Sequence, residues 1–163
     1  MENREMMMEC SLDESLQYIV FLTRHIPEED ISSFILVVLL ELRFQSHLDG
    51  FVYLRDSIER KYENRRKRVN AILLELATLY NPEADYANIE QSIRHCIAIA
   101  WKKRNREKWI KCLTSDYYAE GKPSNASFIS HVACLAELWK KCQKQMQYAL
   151  CDPLYANIKR ANI

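Results

Sequence analysis

Apolar residues recur along this chain at three- and four-residue intervals, the period of a helix with one buried face. Residues 11–25, SLDESLQYIVFLTRH, put Leu12, Leu16, Ile19, Val20, Leu22 and Thr23 on one side, with Ser11 placed to cap. Pro27 interrupts, and EEDISSFILVVLLELRF at 28–44 opens with carboxylates, which suit the positive end of a helix dipole. Gly50 is expected to close that element, since glycine commonly ends helices. A third helix begins near residue 51, with Val52, Leu54, Ile58 and Tyr62 in register. A fourth, in 66–81, carries Val69, Ile72, Leu73, Leu76, Leu79 and Tyr80, and Pro82 ends it because proline disfavours a helical residue before it. Asp85 caps the next, which reaches about Lys103. REKWIKCLTSDYY follows, then a turn at 119–125 and a long helix from about Ser124 bearing Phe128, Ile129, Val132, Leu135 and Leu138, with Pro153 before a short tail. The pattern predicts an all-α, compact bundle of about six to eight helices.

The segment YANIEQSIRHCIAIAW at 86–101 has more to say than its neighbours. At about 100° per residue, Ile89, Ile93, Ile97, Ala100 and Trp101 fall within about 120° of one another. Asn88, Gln91, His95 and Lys102 cluster on the far side, with Arg94 at the flank. This helix follows another amphipathic helix across a short break, as in a helix-turn-helix spanning approximately 66–80 and 86–103. Its polar side chains suit base edges, because Asn and Gln bond adenine N6 and N7 together and Arg bonds guanine O6 and N7. RRKR at 65–68 and KKRNREK at 102–108 flank the stripe and can hold phosphates.

Charge and composition sharpen this. The formal net charge is only +1, yet residues 1–50 carry ten Asp/Glu against three Lys/Arg, and residues 51–163 carry twenty Lys/Arg against twelve Asp/Glu. Such a split suits an anionic partner for the second part, or an attraction between the two parts. With 2 glycines in 163 residues, a turn-rich β fold is disfavoured and no phosphate-cradling glycine loop exists. The 6 cysteines form no C-x-x-C pair and read as small core hydrophobes. The 4 histidines, at 25, 47, 95 and 131, form no ligand pair, and no nucleophile-elbow motif occurs. Neither an enzyme nor a metal or cofactor is expected, and no small-molecule substrate. FILVVLL at 34–40 is the longest apolar run, far short of the roughly 20 residues a membrane helix needs. The acidic start does not read as a signal peptide, so a cytoplasmic protein is expected.

Three segments agree in order and spacing with one known family. HLDGFVYLRDSI at 47–58 has a glycine, an aromatic and a YLR-acidic run; IEQSIRHCIAIAW at 89–101 has an IRH and a terminal AW; GKPSNASFISHVA at 121–133 has KPSN followed by FI and VA. Together they resemble the C-terminal effector domain of the stage-zero sporulation protein A family of response regulators, across about residues 35–138. The resemblance implies a domain of about six helices whose helix-turn-helix reads short operators in double-stranded DNA, with domains paired on tandem sites, an arrangement that allows a homodimer. Glu90, Arg94 and His95 match polar positions of the family's recognition helix. Asn88 and Gln91 stand where the family has arginines, and the turn at 81–87 is about two residues longer, which implies a changed base preference and weaker phosphate attraction. Residues 1–34 show no alternating strand–helix pattern, so an acidic helical extension rather than a receiver domain is expected there, with the effector-like domain at 35–138 and a helical extension at 139–163. The expected DNA-binding residues are Asn88, Glu90, Gln91, Arg94, His95, Lys102, Lys103 and Arg104 of a sequence-specific transcriptional regulator. The rival is a non-enzymatic protein-interaction or dimerisation module that kept the fold and lost the operator.

Overall fold

In a computed structural model of the chain, residues 18–80, 85–113 and 121–151 are described. The expected cap at Ser11, the stripe at Leu12 and Leu16, the break at Pro82 and the tail after Pro153 lie outside them. Residues 18–22 are helical, and six further helices follow among the described residues: α1 Ile31–Glu41, α2 Asp49–Glu63, α3 Val69–Tyr80, α4 Tyr86–Lys102, α5 Arg106–Cys112 and α6 Asn125–Cys151. No strand occurs among the described residues, and the all-α expectation holds.

Short polar residues start these helices by bonding amides that have no partner within the helix. Asp30 accepts from the Ser33 amide at 3.0 Å and the Ser33 hydroxyl at 2.6 Å, so α1 starts at Ile31 rather than 28. Asn105 accepts from the Lys108 amide at 3.2 Å and starts α5. The end of α1 differs from the expectation. The chain leaves the helix through Leu42 and Arg43, whose φ of 65° is left-handed, and the Phe44 amide then bonds the Leu39 carbonyl at 3.0 Å. Gly50 does not close α1; it lies in the first turn of α2.

Helix α2 is the axis of the bundle. It packs most extensively on α4 and α6, and also on α1 and α3, through Phe51, Leu54 and Ile58. Beyond its end, the Lys61 ammonium donates to the Arg65 and Lys67 carbonyls at 2.7 and 2.6 Å and shapes the loop into α3. Val69, Ile72, Leu73 and Leu76 of α3 are buried as the pattern predicts. Leu79 and Tyr80 are not: the last turn of α3 runs past the core, leaving Leu79 63% exposed. The Tyr80 ring instead meets Tyr53 edge-on at 5.4 Å and its hydroxyl donates to Asp56.

Two aromatic groups close the core. Trp109 of α5 lies 6.1 Å from Phe44 and 6.0 Å from Phe128, with Trp101 edge-on at 5.4 Å. Its buried indole N–H donates to the Leu42 carbonyl at 3.2 Å, satisfying a polar group that burial would otherwise penalise. At the other end Trp139 stacks on Phe34 at 4.4 Å and donates to the Thr23 hydroxyl at 2.7 Å, while that hydroxyl donates to the Ile19 carbonyl at 2.6 Å. Ile19, Thr23, Phe34 and Trp139 are all fully buried, so both flanks of the 35–138 segment contribute side chains to one core. Helix α6 runs through residue 138 without a break.

Candidate nucleic-acid interface

The helix-turn-helix pair is α3 packed on α4. Asp85, in extended conformation, caps α4: its carboxylate accepts from the Ala87 amide at 3.5 Å and its carbonyl from the Asn88 amide at 2.9 Å. Ile89, Ile93, Cys96, Ile97 and Ala100 are buried, and Trp101 is half-buried against the core. On the opposite side Asn88, Gln91, Arg94, His95, Lys102 and Lys103 are all exposed, and none of the described flanking segments covers them. The two stripes expected from the spacing are therefore present, one inward and one outward.

An ion pair organises one edge of the outward stripe. Glu90, half-buried at its edge, accepts from the Arg94 guanidinium at 3.1 Å, one turn on. This pair neutralises part of the arginine's charge and orients its planar fork, while leaving the side chain 61% exposed. Arg104 behaves differently from the lysines before it. Its guanidinium lies 3.9 Å from the centre of the Trp101 ring, and Nη1–H donates to the Trp101 carbonyl at 2.7 Å. That side chain is half-buried and acts on the protein itself.

The flanking basic clusters are similarly divided. In 65–68, Arg65 pairs with Glu137 and Lys67 with Glu75, while Arg66 and Arg68 are exposed. In 102–108, Lys108 pairs with Glu41 at 2.6 Å, leaving Lys102 and Lys103 as the exposed lysines beside the stripe. Attraction between the acidic first part and the basic second part is thus also real: Lys108 reaches Glu41 and Lys144 reaches Glu28 at 3.7 Å.

A cleft of about 310 Å³ opens beside α4, between Asn70, Glu90, Arg94, Lys122 and Asn125. Asn125, the first residue of α6, crosses it: its side-chain N–H donates to the Glu90 main-chain carbonyl at 2.9 Å. Gly50 approaches α4 from another direction, so close that an added Cβ would lie 2.1 Å from the Ser92 carbonyl oxygen. Neither residue stands out as functional in the periodicity. The available signals are an isolated glycine inside a helical pattern and an asparagine at a helix start, both of which have commoner explanations.

Burial pushes the Cys96 thiol up to about 11, so it is protonated at neutral pH and a poor nucleophile. Among the described residues no group of His, Cys, Asp and Glu is arranged to hold a metal, and no helix is long and apolar enough to cross a membrane.

Compared with known protein families, residues 35–135 match the model described as "Sporulation initiation factor Spo0A C terminal".

Proposed function

The chain belongs to the family of Spo0A C-terminal domains, DNA-binding regulatory domains of sporulation factors, and from that premise we propose that it is a sequence-specific transcriptional regulator that lays α4 in the major groove. The observation that carries this reading is the outward stripe of α4, exposed along its length while the opposite face is anchored in the core. Asn88 and Gln91 are the candidates for adenine edges and Arg94 for guanine; Glu90, beside it, can accept from a cytosine amino group. His95 continues the same face, and Lys102 and Lys103 meet phosphates at the helix end. Arg104, stacked on Trp101, supports that end of the helix and contributes positive charge at close range.

Neutral Asn88 and Gln91 at positions the family fills with arginine shift the balance from charge to hydrogen-bond geometry. About three to five phosphate contacts would give a log–log salt slope of roughly −3 to −4.5. The test is a titration of labelled duplex at two salt concentrations, against both random DNA and an operator selected from random sequence. A selected consensus with such a slope supports the reading, whereas no consensus and a flat salt response would end it.

A second reading has its own observation. Leu74 and Leu79, on the outer side of α3, are 58% and 63% exposed, which suits a protein-interaction module or a homodimer contact. If those leucines meet a protein and the operator has been lost, the same titration shows no selected sequence and no salt-dependent binding of duplex.

A further inference from the structure

The GKPSN turn at 121–125 is among the segments that identify the family, yet no part of the DNA reading above uses it. The turn is constructed with some care. Gly121 takes a φ of +89°, Pro123 is buried, and the Ser124 hydroxyl accepts from the Ser127 amide at 3.2 Å to start α6. All of this delivers Asn125 to the recognition helix, where it donates to the Glu90 carbonyl at 2.9 Å across 35 residues of sequence. A helical carbonyl keeps a second lone pair after accepting its own i+4 amide, so this bond adds to the helix rather than disrupting it. Two residues further along, the Ser92 carbonyl is where the Gly50 backbone closes on α4. The recognition helix is thus held by its main chain from two sides, α2 and α6, within a single turn.

We propose that Asn125 is a positioning residue for base reading: it latches the start of α6 to the main chain of α4 and so fixes the roll and depth of the Asn88–Gln91–Arg94–His95 face. This rests on the proposed reading of DNA by that face. The role follows from the distances involved. A side-chain tip roughly 6 Å from a helix axis moves about 1 Å for every 10° of roll. Paired hydrogen bonds to a base edge tolerate only about half that error. Phosphate contacts made by flexible lysines such as Lys102 and Lys103 tolerate far more, since they depend on charge at a distance rather than on a fixed fork. Loss of the latch therefore separates specific from non-specific binding.

The experiment uses the full chain, at one fixed salt concentration, with a selected operator and a random duplex of equal length. Asn125→Ala and Asn125→Asp are compared with the unmodified protein, and melting temperatures are recorded alongside. Asp removes the donor but keeps a favourable first-turn residue for α6, so it remains informative where the alanine variant fails to fold. The expected result is about a tenfold fall in the operator-to-random affinity ratio for either variant, with random-DNA affinity within about twofold of the original for Asn125→Ala and lowered for Asn125→Asp only by its added charge. A repeat selection with Asn125→Asp is expected to return a degraded consensus. An unchanged ratio in both variants, or a parallel loss of both affinities, overturns the positioning role. If the unmodified protein selects no operator at all, the DNA reading itself fails, and this role falls with it.

Discussion

A Cβ placed on Gly50 would lie 2.1 Å from the Ser92 carbonyl oxygen and 3.0 Å from the Cys96 Cβ. The obstacle is main chain in the middle of a helix, which cannot rotate aside as a side chain can. Gly50→Ala must therefore push α2 and α4 apart. Overpacking of this kind costs about 1–3 kcal/mol, and a backbone obstacle belongs at the upper end of that range. Chemical denaturation of Gly50→Ala checks the loss, and a variant as stable as the original would show that the crossing is looser than described.

Gly50 also shows what the sequence could and could not reveal. The helical period exposed both stripes of α4, because side-chain direction follows from position alone. It led to Asp85 as a cap for the same reason: capping is a local interaction. Gly50 was expected at a helix end because glycine is commonest there, and its actual partner lies 42 residues away at Ser92, beyond anything local propensity encodes. The hydrogen bonds from Trp109 to Leu42 and from Asn125 to Glu90 escape the sequence for that reason too. Leu79 and Tyr80 fit the period of α3 but not the core, since the period says which way a residue faces and not where the partner helix stops. Arg104, expected among the phosphate-binding residues, folds onto Trp101, a contact that charge counting has no means to anticipate.

Trp139 and Thr23 supply a second prediction. The buried indole N–H depends on the Thr23 hydroxyl at 2.7 Å. Thr23→Val keeps the shape and removes the acceptor, leaving a buried donor without its partner, at about 1–3 kcal/mol. Trp139→Ala also removes the stacking on Phe34 and leaves a cavity, for about 3–5 kcal/mol. A fragment confined to residues 35–138 lacks Ile19, Thr23, Phe34 and Trp139 together and is expected to unfold well below the full chain in thermal melts. Equal melting temperatures would mean that this end of the core contributes little.

Stability should also depend on pH, in two windows. Burial holds His131 below its ordinary value of 6.5, so the folded protein resists protonation while the unfolded chain accepts it. Below about pH 6.5 the unfolded state then binds more protons, and stability falls as pH drops towards the folded value. Replacement of His131 by Gln should flatten that part of the curve. Glu41 acts lower down. Burial pushes its carboxyl up, but bonds from Lys108 and Tyr18 and the charge of Lys108 outweigh this and hold it below 4.5. Its contribution is present above pH 4.5 and is lost as pH falls through the folded value, so Glu41→Gln should change only the acid limb. Urea midpoints measured from pH 2 to 8 test both, and a His131→Gln curve parallel to the original would refute the first.

The proposed reading face of α4 yields the last prediction. Gln91 on the exposed side of α4 and Lys103 just past its end carry different chemistry. A glutamine amide pairs with a base edge through two directional bonds, worth about 1–3 kcal/mol of discrimination when well aligned. Gln91→Ala should therefore relax the preference at one or two base positions while leaving random-DNA affinity nearly intact. Lys103 offers a mobile charge at the helix end, so Lys103→Ala should weaken every sequence alike and reduce the salt slope by about one. Glu90→Gln removes the carboxylate paired with Arg94, and with it the repulsion of nearby phosphates, so random-DNA affinity should rise while discrimination falls. The three variants thus move specificity and charge dependence in different combinations. Should Gln91→Ala and Lys103→Ala produce the same uniform weakening, the face would be binding phosphate alone, and base reading by α4 would have to be abandoned.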